Sequence, residues 1–300
     1  MTRPLVLAVA LLLSLASAPA AAPATAQEPP GIIPVLASSE LAQGENRFLF
    51  SLTDHAGAIV AAPDVEVQLQ FYDDDADPQA VAFETGSRFL WAIEDYRGLY
   101  AADVTFPHAG RWGTRFNATF PDGRSETVRA DYDVLETTST PAIGSPAPLI
   151  DSPTAADVGG DLSRISSDPD PEERFYELSI LDAIEADAPA IIAFVTPSFC
   201  QTATCGPTIE KVKEVAANHP EGVNFVHVEP YLMHVQDGYL QPLLSEEGWL
   251  QSAPWTERWG LRTEPYVVVI DAAGLVRAKF EGAITVEELE DALWRALSPL

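Results

Sequence analysis

The stretch Ala190-Ile-Ile-Ala-Phe-Val-Thr-Pro-Ser-Phe-Cys200-Gln-Thr-Ala-Thr-Cys205-Gly-Pro207 holds the only two cysteines of the 300-residue chain. Ala190 to Val195 is a short apolar run bounded by Pro189 and Pro197, the pattern of a buried strand. Pro207 to Asn218 reads as a helix, with Pro207 tolerated in its first turn and His219-Pro220 ending it. Both cysteines therefore fall at a strand-to-helix turn. Upstream, Phe175 to Ala186 is amphipathic at helical spacing. Downstream, Val223 to Val228 reads as a strand, and a polar and aromatic stretch leads to a helix ending near Trp259-Gly260. Tyr266 to Ile270 and Leu275 to Phe280 read as hairpin partners across Ala273-Gly274. Thr285 and Glu288 have capping-box spacing for a last helix through Leu297. The order is helix, then β-α-β, then α, then β-β-α.

With two cysteines at the first strand-to-helix turn, that order resembles the thioredoxin-like superfamily over roughly the last 125 residues. The segments that carry the resemblance are Phe194-Val-Thr-Pro-Ser-Phe-Cys200, Cys205-Gly-Pro207 and Trp259-Gly-Leu-Arg-Thr-Glu-Pro265-Tyr266 leading into Val267–Asp271. It implies a redox-active Cys200/Cys205 pair, with Pro265 as a cis-proline facing it. On its own, Pro265 is also a legal proline at a strand start.

The spacing departs from the C-x-x-C usual in that superfamily. Five residues of ideal helix rise about 7.5 Å and turn about 500°, leaving the side chains about 140° apart. A disulfide needs Cα atoms about 4.4–6.8 Å apart. Either Cys200 lies in the loop before the helix, or the first turn unwinds when the bond forms. Two alignments compete for the nucleophile. Phe199-Cys200 matches a Trp-Cys pair and makes Cys205 the resolving thiol. Cys205-Gly-Pro-Thr208 matches Cys-Gly-Pro-Cys and makes Cys205 the nucleophile. A helix start lowers the pKa of the nearer thiol, and Cys200 is preferred because it directly follows the strand loop.

Three other readings compete. C-x4-C followed by Gly is similar to peroxiredoxins of the bacterioferritin-comigratory type, but Pro197 stands where their Thr is expected, with Thr196 one place back, and only Arg262 lies near the place of their Arg. Copper chaperones of the cytochrome-oxidase type are similar in using two cysteines and a distant His, for which His227 and His234 are candidates, but the spacing differs. An inert bridge in a binding or scaffold protein is the third, since exported cysteines commonly pair. So short a loop stabilises by only about 2 kcal/mol, which favours redox. The site is expected to be Cys200, Cys205 and Pro265, with no metal and no cofactor. Trp255 and Trp259 share a helical face, as core or as a border to the thiols.

Residues 32 to 137 alternate in strand fashion, at Asn46–Thr53, Val65–Phe71, Arg88–Ile93, Gly98–Phe106, Arg111–Phe120 and Glu126–Leu135, as in an antiparallel sandwich. Gly98-Leu-Tyr-Ala-Ala-Asp-Val-Thr-Phe-Pro-His-Ala-Gly-Arg-Trp-Gly113 resembles the strand pair of small exported immunoglobulin-like domains of the copper-resistance and nitrogen-fixation accessory type. Asp73, Asp74, Asp75 and Asp77 suit a solvated hairpin tip better than a calcium site. His55 and His108 fall near turns. Residues 138–172 are rich in Pro, Ser, Thr, Gly and Asp and read as an extended linker.

Arg3, the apolar Leu5–Ala18 and Ala24-Thr-Ala26 have the pattern of an export signal, with a mature start near Gln27. An uncleaved leader would instead tether the protein at a membrane surface. The net charge is −28, and loss of Arg3 leaves 16 basic and 45 acidic residues. Such a surface repels phosphate backbones and argues against nucleic-acid binding.

The expectation is an α/β thioredoxin-like domain (173–300) C-terminal to an all-β immunoglobulin-like sandwich domain (27–137), joined by the 138–172 linker and preceded by the 1–26 signal. The expected function is exported thiol–disulfide oxidoreduction on protein disulfides. The expected partner is a protein thiol or disulfide substrate or a membrane electron carrier.

Overall fold

A computed structural model describes residues 31–298, so the export signal read at 1–26 lies outside the described residues. The first eight strands are β1 (Ile33–Leu36), β2 (Gly44–Thr53), β3 (Glu66–Asp73), β4 (Val81–Gly86), β5 (Arg88–Ile93), β6 (Arg97–Phe106), β7 (Gly110–Thr119) and β8 (Ser125–Val134). They form two four-stranded antiparallel sheets, ordered β1-β2-β6-β5 and β4-β3-β7-β8. The alternating residues of both sheets meet in one aromatic core. Phe48 lies 5.5 Å from Phe71 and Phe50 lies 4.9 Å from Phe116, centroid to centroid and edge to face. That geometry suits the ring quadrupoles and adds to the area buried.

The second half contains α1 (Ile180–Glu185), β9 (Ala190–Phe194), α2 (Cys205–Asn218), β10 (Asn224–Val228), β11 (Met233–Gln236), β12 (Tyr239–Pro242), α3 (Pro254–Arg258), β13 (Tyr266–Ile270), β14 (Val276–Glu281) and α4 (Val286–Leu297). A third sheet runs β10-β9-β13-β14, with β10 parallel to β9 and the other pairs antiparallel. Its two central strands, AIIAF and YVVVI, are buried at every position. Continuous apolar runs are what a sheet covered on both faces requires. One face packs with α2 and α4, the other with α1 and Trp259. β11 and β12 pair as a separate hairpin, turned at Asp237-Gly238.

The expected fold class is corrected. Among the described residues the chain is mostly β, with four separate sheets and only four short α-helices. It is not an α/β thioredoxin-like domain placed after an immunoglobulin-like sandwich. Two expected helices supply the physical reason. Phe175 and Tyr176 belong to a 3-10 turn, and a new helix of six residues begins at Ser179, whose side chain accepts from the Asp182 N–H in a capping box. Between residues 229 and 253 the backbone bonds are made by β11–β12 and by bridges at Tyr231–Ser252 and Leu244–Leu250. That leaves α3 only five residues. Among the described residues no helix is long and apolar enough to cross a membrane.

Residues 138–172 do not hang free as the expected extended linker. Ala147 is buried in the face that holds Trp259, and Pro146 bridges Leu275. The Ser152 hydroxyl accepts from the Ile180 N–H. Gly260 is left-handed, and a Cβ there would strike the Ser139 carbonyl, so only glycine fits where this strap crosses.

The two halves share a joint. Leu49, Leu90 and Ala101, on the outer face of the first sheet, pack with Ala283. The Arg47 guanidinium forks onto Glu288 at 2.8 and 2.9 Å and donates to the Ala283 carbonyl at 2.7 Å. Arg88 also donates to Glu288, at 2.5 Å. Burial pulls the Glu288 pKa up, but the Arg47 and Arg88 charges outweigh it and hold the carboxyl below its usual range. The Lys211 ammonium donates to the Trp91 and Ile284 carbonyls.

Candidate redox site

Strand β9 ends at Phe194, the chain turns through Thr196-Pro-Ser-Phe199, and α2 starts at Cys205. Cys200 thus lies in the loop and Cys205 is the first residue of the helix, the first of the two arrangements that the spacing allows. Both thiols are unbonded, Cys200 half-buried and Cys205 buried. The Cys200 sulfur accepts the Cys205 backbone N–H at 3.3 Å and contacts the Thr202 hydroxyl at 3.3 Å. The unpaired N–H groups of a helix start are a ready partner for a thiolate.

The two sulfurs titrate in opposite directions. Hydrogen bonding from Cys205 outweighs burial and holds the Cys200 thiol down at about 5. The Cys205 thiol is pushed far up, first by its bond to Cys200 and then by burial. Of the two, the half-buried Cys200 sulfur is the more acidic. Between them Ala203 is left-handed, at φ 62°, which costs about 1–2 kcal/mol for a residue with a Cβ. The loop is also fastened from the first half, since Arg97 donates to the Thr202 carbonyl at 3.1 Å.

Pro265 stands immediately before β13, and the Glu264–Pro265 peptide is cis. The residue beside it, Glu264, was not singled out from the sequence. Its carboxylate accepts the Gln201 N–H at 3.0 Å and the Tyr231 hydroxyl at 2.6 Å, and its backbone carbonyl accepts from Thr202. The Tyr231 hydroxyl is held well above its usual range, by burial first and then by the adjacent carboxylate. Behind Cys205, the Thr196 backbone lies against its sulfur. Glu229 is buried nearby with the Ser167 N–H on one oxygen, and burial pushes its carboxyl up. The only sequence signal for Glu264 was an acidic residue directly before the strand-start proline; nothing local marked Tyr231 or Glu229.

The other candidate residues are placed elsewhere. His227 is buried, with one ring nitrogen on the Tyr176 hydroxyl at 2.6 Å and the other on the Val195 carbonyl. His234 lies on β11 against Gln236. Arg262 pairs with Glu40 at 3.3 Å. Trp259 is buried against Phe194, and the Trp255 indole donates to the Glu229 carbonyl. Asp74 pairs with Arg129, while Asp73, Asp75 and Asp77 accept backbone N–H groups. His108 bonds Asp73. A cleft of about 710 Å³ opens at the joint around Arg47, Lys279 and Glu288 and includes neither cysteine.

No known protein family matches the chain, and no curated protein matches it. Among solved structures, the soluble domain of PmoD from a Methylocystis species is similar, at 15% identity and a TM-score of 0.23, over 34% of this chain and 90% of that one. At that score the likeness carries no inference about fold or function.

Proposed function

We propose that this protein is an exported thiol–disulfide oxidoreductase that acts on protein disulfides through Cys200 and Cys205. One observation carries the reading. A half-buried sulfur accepts the N–H of the residue that bears the second, buried sulfur, an arrangement that favours its thiolate. The Cys200 thiolate attacks one sulfur of a substrate disulfide; the substrate S–S bond breaks and a mixed disulfide forms. The released substrate sulfur leaves as a thiolate and takes a proton. Cys205 then loses its proton and attacks the Cys200 sulfur, expelling the second substrate thiol. The substrate gains two electrons and the pair becomes a disulfide. The same steps reversed oxidise a dithiol. The accessible Cys200 is the nucleophile and Cys205 the resolving thiol. Export rests on Arg3, Leu5–Ala18 and Ala24-Thr-Ala26, which together have the order of a secretion signal.

The test is trapping. Cys205→Ser is expected to accumulate a mixed disulfide with a reduced-and-reoxidised protein substrate, and Cys200→Ser to form none. A pair whose reduction potential lies below about −300 mV is an inert bridge and overturns the proposal.

A further inference from the structure

The sulfurs of Cys200 and Cys205 and a carboxylate oxygen of Glu264 all lie within 4.8 Å of one another. They come from three separate places in the chain: the loop, the start of α2 and the residue before β13. Glu264 is only 8% exposed. Gln201 and Tyr231 each fix one of its oxygens from outside. A carboxylate offers about four lone-pair positions, so these two hydrogen bonds leave each oxygen able to accept again. Among the described residues no lysine or arginine pairs with this carboxylate. Arg97, which reaches the same loop, donates to the Thr202 carbonyl instead.

We propose that the reduced Cys200–Cys205 pair and Glu264 form a three-ligand site for a thiophilic divalent cation of the zinc class. Two thiolates and a carboxylate are three anionic donors; a dication offsets two of the three charges, a monovalent copper ion only one. Sulfur donors argue against calcium and magnesium, and the oxygen donor argues against copper(I). Zinc takes sulfur at about 2.3 Å and carboxylate oxygen at about 2.0–2.2 Å in a tetrahedron, which sets donors roughly 3.5–3.8 Å apart. That spacing is inside the observed separation. Cys200 is half-buried rather than buried, so the site can be reached from solvent, and water would complete the tetrahedron. Gln201 and Tyr231 act as the outer ring that orients a liganding carboxylate. The surrounding charge of −28 concentrates cations at the surface.

On binding, each thiol that still carries a proton releases it to solvent, and no electron moves. The site needs a reduced pair but not disulfide exchange, so it goes beyond the redox reading. The metal and a substrate disulfide compete for the same Cys200 sulfur.

The full chain, reduced without oxygen, is incubated with Zn²⁺ and desalted, with Co²⁺ as an optical probe. One metal ion per chain is expected in the reduced protein, with sulfur-to-cobalt charge-transfer absorption, and none after oxidation to the disulfide. Glu264→Gln is expected to weaken Zn²⁺ binding about tenfold or more, and the milder Tyr231→Phe by less. Circular dichroism of both variants checks that they fold. No retention by the reduced protein overturns the site, as does retention by the oxidised protein or unchanged affinity in a folded Glu264→Gln. Trapping with Cys205→Ser needs no metal, so a failure of either proposal is read separately.

Discussion

The Cys200 thiol is held down first by the Cys205 side chain, then by the Thr202 hydroxyl and the Cys205 backbone N–H. Its alkylation rate should rise with pH around a midpoint of about 5 rather than in the ordinary thiol range. A midpoint near 8 or 9 would remove the thiolate from the mechanism. Thr202→Val should move the midpoint upward, because it removes a hydrogen-bonding group from the charged form. The sign for stability follows from the same depression. The reduced protein gains stability as pH rises past about 5, the gain is complete above the unfolded thiol pKa, and it is lost as pH falls through the folded value. Denaturant melts of the reduced protein and of Cys200→Ser across pH 4 to 9 should therefore diverge toward high pH. The position of these cysteines was legible in the sequence because strand, turn and helix signals are local. The carboxylate beside them was not, because Glu264 reaches Gln201 across 63 residues.

Short elements make their own case about capping. In α4, the Thr285 side chain accepts the Glu288 N–H while the Glu288 side chain accepts the Thr285 N–H. Thr285→Ala should cost about 1 kcal/mol, seen as a lower thermal midpoint. The box could be read from Thr285-x-x-Glu288 alone, and β13 from its unbroken Tyr266–Ile270 run. The segment 175–186 was misread because apolar spacing fits a helix even where the chain restarts one. Ser179-x-x-Asp182 marks that restart, and the bonds of its capping box end the earlier turn. Residues 229–253 were opaque for another reason. Their backbone partners lie within their own hairpin and in bridges such as Leu232 to Gln251, and no period reports such pairing. The strap 138–172 was misjudged because low periodicity says nothing about packing against an existing surface.

Across the whole molecule the joint rests on few groups, and Glu288 serves three of them: Arg47, Arg88 and the cap of its own helix. Glu288→Gln leaves the part-buried Arg47 guanidinium without its counter-charge, and should cost up to about 3 kcal/mol. Limited proteolysis near the joint and the thermal midpoint both report it. Because the folded Glu288 pKa is depressed, this contribution is present above the unfolded carboxyl pKa and lost as pH falls through the folded one. Acid should therefore loosen the joint of the wild-type chain and leave Glu288→Gln less affected. The cysteines add a built-in gauge at this scale. Cys205 has no exposed surface and belongs to the first turn of α2, so a bulky alkylating reagent reaches it only when that turn frays or the chain unfolds. In Cys200→Ser, the labelling rate of the single remaining sulfur then measures an opening equilibrium. Its dependence on denaturant distinguishes a local breath of the helix end from loss of the entire fold.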